Sequence, residues 1–240
     1  MLKKIARRLF TPYLWSYTSA ELGLGQLTYS QFGEDILIRG FFRDKPVGVY
    51  VDVGAFHPIY YSNTYALYKS GWNGLAIDAN GSFERLYKKF RPRDIFVHAA
   101  VGQSEGKAHF VHFSSGAFDR LQKFASEVPE QFRTGETTRE VNMRRLDQIL
   151  DSSKATKVDF LNIDCEGADL DILSSIDFAK LRPSLISVED HSANWTVSPV
   201  VKILAENGYA MYGRCGLSTL FVDAIRKVQS VSDIVEAHHS

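Results

Sequence analysis

Val47-Gly48-Val49-Tyr50-Val51-Asp52-Val53-Gly54-Ala55-Phe56-His57-Pro58 is the stretch whose reading decides the fold of this chain. A β-branched, apolar run reaches an acid and then a glycine. That pattern predicts a buried strand whose end lets a ligand approach the backbone. In open α/β sheets, ligands bind beyond the carboxyl ends of the strands, so Asp52 and Gly54 are expected to border a cofactor. A core strand followed by an ordinary turn is the other reading of these residues alone.

Working outward, Ser30-Gln31-Phe32-Gly33-Glu34-Asp35 predicts a helix capped by Ser30, with two acids where the helix dipole welcomes them. This cluster either packs or lines a ligand's edge. Downstream, Ser62-Asn63-Thr64 offers caps for a helix to about Ser70, and Leu75-Ala76-Ile77-Asp78 is a second strand ending in an acid. A helix from Ser82 to about Phe90 stops before Pro92, and Ile95 to Ala99 is a third strand. Lys107 to Phe113 alternates weakly as an extra strand, and the polar stretch 114–140 reads as a lid or binding loop. Val158 to Asp164 and Leu185 to Glu189 are strands four and five, each ending in an acid, with Asp190 and His191 directly after. A helix from Ser198 to Asn207 ends at Gly208, and two closing strands follow. Alternating strands and helices predict a doubly wound, mainly parallel sheet.

The 240 residues suffice for one large domain, and 45% hydrophobic content is ordinary for a globular chain. Lys+Arg and Asp+Glu stand at 28 each, so net charge gives no argument for nucleic acid. Two cysteines, Cys165 and Cys215, make neither a disulfide scaffold nor a zinc site, and a reducing cytoplasm is the simplest home. Met1 to Phe10 is basic and amphipathic without the marks of a signal peptide. An ordinary packing helix is the expectation there, with an anionic membrane surface or a partner as the alternative. The expected division is a basic segment at 1–27, one domain at 28–224 and a tail at 225–240. Self-association stays open.

The strand ends narrow the cofactor. A dinucleotide site would want Gly-x-Gly-x-x-Gly after strand one, and the turn Gly54 to Pro58 lacks two of those glycines. A nucleoside carrying an amino acid in place of phosphates fits better. S-adenosylmethionine is such a molecule: Asp52 would attract its cationic end, Asp78 would accept both ribose hydroxyls, and Ala99-Ala100 would border the adenine. Ser30, Gln31 and Glu34 would close over its methionine end.

Tyr50 to Ala55, Ser62 to Tyr65, Gly71 to Asn80, Asp159 to Asp169 and Pro183 to Glu189, with the Ser30–Asp35 cluster, resemble the FkbM-type methyltransferases. The resemblance spans about residues 28 to 222. It implies a class I methyltransferase (Rossmann-like) fold, with helices on both faces of a mainly parallel sheet and an antiparallel closing strand. It also implies methyl transfer from S-adenosylmethionine to a hydroxyl of a sugar, glycan or related small molecule. Ala79, beside Asp78, joins the cofactor set on the same ground.

A sugar hydroxyl is a poor acid, so a base or metal near it is useful. Asp164, Glu189 and Asp190 would converge from neighbouring strand ends, a donor set suited to Mg2+ or Mn2+. Without a metal, Asp164 or His191 would be the general base, with His57 another candidate. A nicotinamide-dependent oxidoreductase and a non-catalytic module of the same fold are the rival readings.

Overall fold

The computed structural model describes residues 26–114, 118–153 and 157–226. The expectations for the basic N-terminal segment and most of the tail fall outside these residues.

The first strand, β1 (Val49–Val53), lies where the apolar run predicts it. It pairs in parallel with β2 (Asn73–Asp78), which pairs in parallel with β3 (Ile95–His98). The chain then returns to the other side of β1 as β8 (Phe160–Ile163), followed by β9 (Leu185–Glu189). The hairpin of β10 (Tyr209–Cys215) and β11 (Ser218–Asp223) closes the sheet, with β11 antiparallel to β9. The order is β10-β11-β9-β8-β1-β2-β3. Strand succession therefore reverses between β1 and β8, which is where an α/β sheet opens a ligand crevice. This is the class I methyltransferase architecture that the resemblance implied.

Strand alternation sets the two layers. Val51, Val53, Leu75, Ile77, Leu161 and Ile163 face one side, against α4 (Leu146–Ser153), α5 (Asp169–Ser174) and α6 (Pro199–Glu206). Tyr50, Phe160 and Leu185 face the other, where α1 (Glu34–Phe41) and α2 (Tyr65–Lys69) bring Ile38, Phe42 and Leu67. On that face α3 (Glu84–Phe90) packs Tyr87 on Ala76. Helix α6 is capped as its sequence predicts: Ser198 Oγ accepts from Val201 N at 3.2 Å.

Helix α1 departs from expectation. Its N-cap is Gly33 at φ 96°, not Ser30. The reason is Asp35, whose carboxylate accepts from Ser30 Oγ, Thr28 Oγ1 and Tyr29 N, folding residues 28–33 into a turn.

The stretch 114–140 is not merely a loop. Between β3 and α4 the chain builds a second sheet, ordered β4-β7-β5-β6. Its strands are β4 (Ala100–Val101), β5 (Gly106–His112), β6 (Arg120–Leu121) and β7 (Thr137–Arg144). In β7 only Val141 and Met143 alternate as a strand should, and pairing along the whole of β5 supplies what the pattern lacks. No helix among the described residues is long and apolar enough to cross a membrane.

Candidate active site

A cavity of about 560 Å³ opens at the carboxyl ends of β1, β2, β8 and β9, roofed by the second sheet. Gly54 lies at its base with φ 78°. A Cβ built there would sit 1.7 Å from the Asp164 carbonyl, so only glycine lets β1 and β8 end side by side.

At one end, Asp78 finishes β2. Its Oδ2 accepts from Phe56 N at 2.7 Å and its Oδ1 from Asn80 N at 2.7 Å. Each oxygen keeps a lone pair for a further donor. Burial, opposed by those two N–H groups, raises the carboxyl to about 6. Ala79, Ala99 and Ala100 form an adjoining wall of small side chains. Phe110 and Leu121 of the second sheet cover that wall. Gln31 and Glu34 line the cleft as well, with Glu34 Oε2 accepting from Phe32 N at 2.9 Å.

At the other end stand Asp164 and Glu189, whose carboxyls face the cleft from the ends of the paired strands β8 and β9. Burial first, then repulsion from Glu189, Asp169 and Glu166, pushes the Asp164 carboxyl well above its usual range. Glu189 shifts the same way, by burial and then by Glu166 and Asp169. Like charges crowded at one end of the cleft resist ionising together. Glu189 Oε2 is buried without a hydrogen bond, although His191 Nε2 lies 3.1 Å away. Glu166, Glu189 and His191 each bring one ligand atom within 4.8 Å of the others. Arg120, the one Arg or Lys lining the cleft among the described residues, pairs with Glu166 and lies 3.7 Å from Glu127.

Among the described residues, three non-glycine positions have positive φ: Phe56 (47°), Tyr61 (55°) and Glu166 (51°). All three line this cleft. Strain of that kind collects where surrounding structure is holding a site in shape.

Several residues singled out from sequence lie elsewhere. Asp52 is 2% exposed; Thr64 Oγ1 donates to its Oδ2 at 2.5 Å and Asn162 Nδ2 to its Oδ1 at 2.9 Å. It shares a sheet face with Asp78 but stops one residue pair short of the strand end, so it is a buried scaffold for the 55–64 loop. Ser30 is tied to Asp35. Asp190 alternates away from Glu189, and its Oδ1 accepts from Ser192 N at 2.9 Å. The expected trio of Asp164, Glu189 and Asp190 is therefore not assembled; Glu166 and His191 stand where Asp190 was expected. His57 Nδ1 accepts from Ile59 N and Tyr60 N outside the cleft. Arg120, Phe110 and Leu121, and Asp119 just before β6, were missed because β5 and β6 carry little periodic signal.

A methyltransferase FkbM domain matches residues 52–211, which is most of the described chain. No curated protein matches. Among solved structures, the chain is similar to a precorrin-6y C5,15-methyltransferase from Geobacter metallireducens GS-15. Identity there is 14%, covering 82% of this chain and 89% of that one, with a TM-score of 0.41. It is also similar to a 1,6-didemethyltoxoflavin-N1-methyltransferase from Burkholderia thailandensis, solved with 1,6-didemethyltoxoflavin and S-adenosylhomocysteine. Identity is again 14%, covering 79% of this chain and 74% of that one, with a TM-score of 0.40.

Proposed function

The chain belongs to the FkbM methyltransferase domain family, and from that premise we propose that it transfers a methyl group from S-adenosylmethionine to a hydroxyl of a sugar, glycan or related small molecule. The observation that carries this reading is the Asp164–Glu189 carboxyl pair facing the same cleft as Asp78. An amine or thiolate needs little help to attack a methyl group. A sugar hydroxyl must lose its proton, and a carboxyl pair beside an imidazole answers that need.

The residues of the cleft fit the cofactor. Asp78 accepts the two ribose hydroxyls on the lone pairs that Phe56 N and Asn80 N leave free. Ala79, Ala99 and Ala100 admit the flat adenine under Phe110 and Leu121. Gln31 and Glu34 bound the amino-acid end. When bound, the cofactor supplies an electrophilic methyl group on a cationic sulfur. The ionised member of the Asp164–Glu189 pair takes the acceptor's hydroxyl proton, and His191 passes it to solvent. The roof excludes water while acceptor and methyl are aligned.

A second reading adds a divalent cation, Mg2+ or Mn2+, and one observation favours it: the unpartnered Glu189 Oε2 lies in the cluster with Glu166 and His191. Two carboxylates and an imidazole suit Mn2+, and those three residues would hold it. A bound cation lowers the pKa of an acceptor hydroxyl. It would have to compete with Arg120 for Glu166.

Incubation with methyl-labelled S-adenosylmethionine and a glycan extract tests the main reading, with alkali-stable label on a sugar hydroxyl expected. Label recovered only on nitrogen or carbon, or a thermal shift with NAD and none with S-adenosylhomocysteine, overturns it. Calorimetric titration with MnCl2 tests the second; absence of binding, or unchanged binding in Glu189→Gln, removes it.

A further inference from the structure

Two consecutive residues at the start of β6, in the roof, grip opposite ends of the cleft. Arg120 reaches Glu166 on the side of the carboxyl pair. Asp119 turns the other way, and the nucleoside reading has no use for it so far. Its side chain is 7% exposed. Its Oδ2 accepts from Asn80 Nδ2 at 3.2 Å and lies 2.6 Å from His112 Nδ1, while its Oδ1 accepts from Phe113 N at 2.8 Å.

Asn80 is the link. Its backbone N–H holds Asp78 Oδ1 at 2.7 Å. Its side-chain oxygen accepts from Ser82 N and Ser82 Oγ, capping the 3-10 turn Gly81–Phe83 that leads into α3. Both contacts belong to the β2–α3 connection itself. Among the described residues, Asp119 is the one partner that the Asn80 side chain has outside that connection. The second sheet thus fastens the segment that aims Asp78.

We propose that Asp119 is a positioning residue for the nucleoside: acting through Asn80, it fixes the Asp78 carboxylate in the orientation that receives both ribose hydroxyls. This rests on Asp78 being the ribose acid. A carboxylate must present one lone pair to each of two vicinal hydroxyls, so a modest rotation costs both contacts. Phe56 N fixes one oxygen and Asn80 N the other, and Asn80 N stays in place only while its residue does. Asp119 binds cofactor indirectly, so its loss is felt by ligands that carry the hydroxyls. A residue that merely joined β5 to β6 would weaken every ligand alike.

The test is isothermal titration calorimetry on the full chain with two probes, S-adenosylhomocysteine and its 2′,3′-dideoxy counterpart. Asp119→Asn is expected to weaken the first about tenfold, the size of a lost charged hydrogen bond, and the second less than about twofold. Asn80→Ala is expected to show the same hydroxyl-dependent loss. Equal weakening of both probes, or none, overturns the proposal. Should Asp119→Asn fail to fold, Asn80→Ala carries the comparison with the same two outcomes. Asp78→Asn separates the layers: wild-type affinity there takes down the ribose reading and this one together. Weakened binding there with an unaffected Asp119→Asn takes down this one alone.

Discussion

Gly54 and the carbonyl of Asp164 approach each other so closely that a Cβ on Gly54 would stand 1.7 Å from that oxygen. The contact joins β1 to β8 at the point where strand order reverses, and it sets the cleft floor. Gly54→Ala must displace backbone, which cannot yield as a flexible side chain would, and must hold alanine at φ 78°. The expected outcome is a loss of several kcal/mol in urea unfolding, about 3 or more, together with loss of S-adenosylhomocysteine binding. A stable variant that binds normally would show that the floor tolerates separation.

Asp78 gives two pH effects of opposite sign. Its carboxyl is raised to about 6 by burial, against 3.8 in an unfolded chain. Between those values the folded state holds a proton that the unfolded state has released. Its contribution to stability is therefore full below pH 3.8 and is lost as pH rises through about 6. Cofactor affinity runs the other way, because only the ionised carboxylate accepts from both hydroxyls. Calorimetry across pH 5 to 8 should show S-adenosylhomocysteine binding strengthen through about pH 6, with Asp78→Asn weak and flat.

Arg91 is fully buried, with Nε 2.6 Å from Asp94 and Nη2 donating to Tyr50 Oη and Thr64 Oγ1. Through Thr64 it reaches Asp52, so one guanidinium neutralises two buried acids. Arg91→Met leaves both uncompensated. Urea denaturation should register a loss of about 3–5 kcal/mol, the usual size when one partner of a buried pair is removed. A loss below about 1 kcal/mol would mean that the network relaxes around a neutral side chain.

Tyr61 holds φ 55° while its side chain is more than half exposed. Its backbone strain is not repaid by burial, so it serves the cleft it lines. Tyr61→Gly should raise stability by about 1 kcal/mol and lower acceptor turnover. Unfolding curves check the first half and a methyl-transfer assay the second.

Much of the frame could be read directly. β-branched runs ending in acids gave the strands β1, β2, β8 and β9, because burial on both faces demands continuous apolar sequence. Ser198 and Gly208 bracketed α6, because caps act over a few residues. The second sheet was hidden. β7 is exposed along most of its length, and its stability comes from β5, some thirty residues earlier in the chain.

The acids divide the same way. Sequence alone established that Asp52, Asp78, Asp164 and Glu189 end or nearly end parallel strands, since alternation and a following turn are local properties. Tertiary structure alone decided which of them face the cleft. Asp52 is claimed by Thr64 and Asn162, from elements 12 and 110 positions away in the chain, while Asp78 and Glu189 keep free lone pairs. A carboxylate's role is set by the donors that reach it first, and those donors arrive only when distant segments pack.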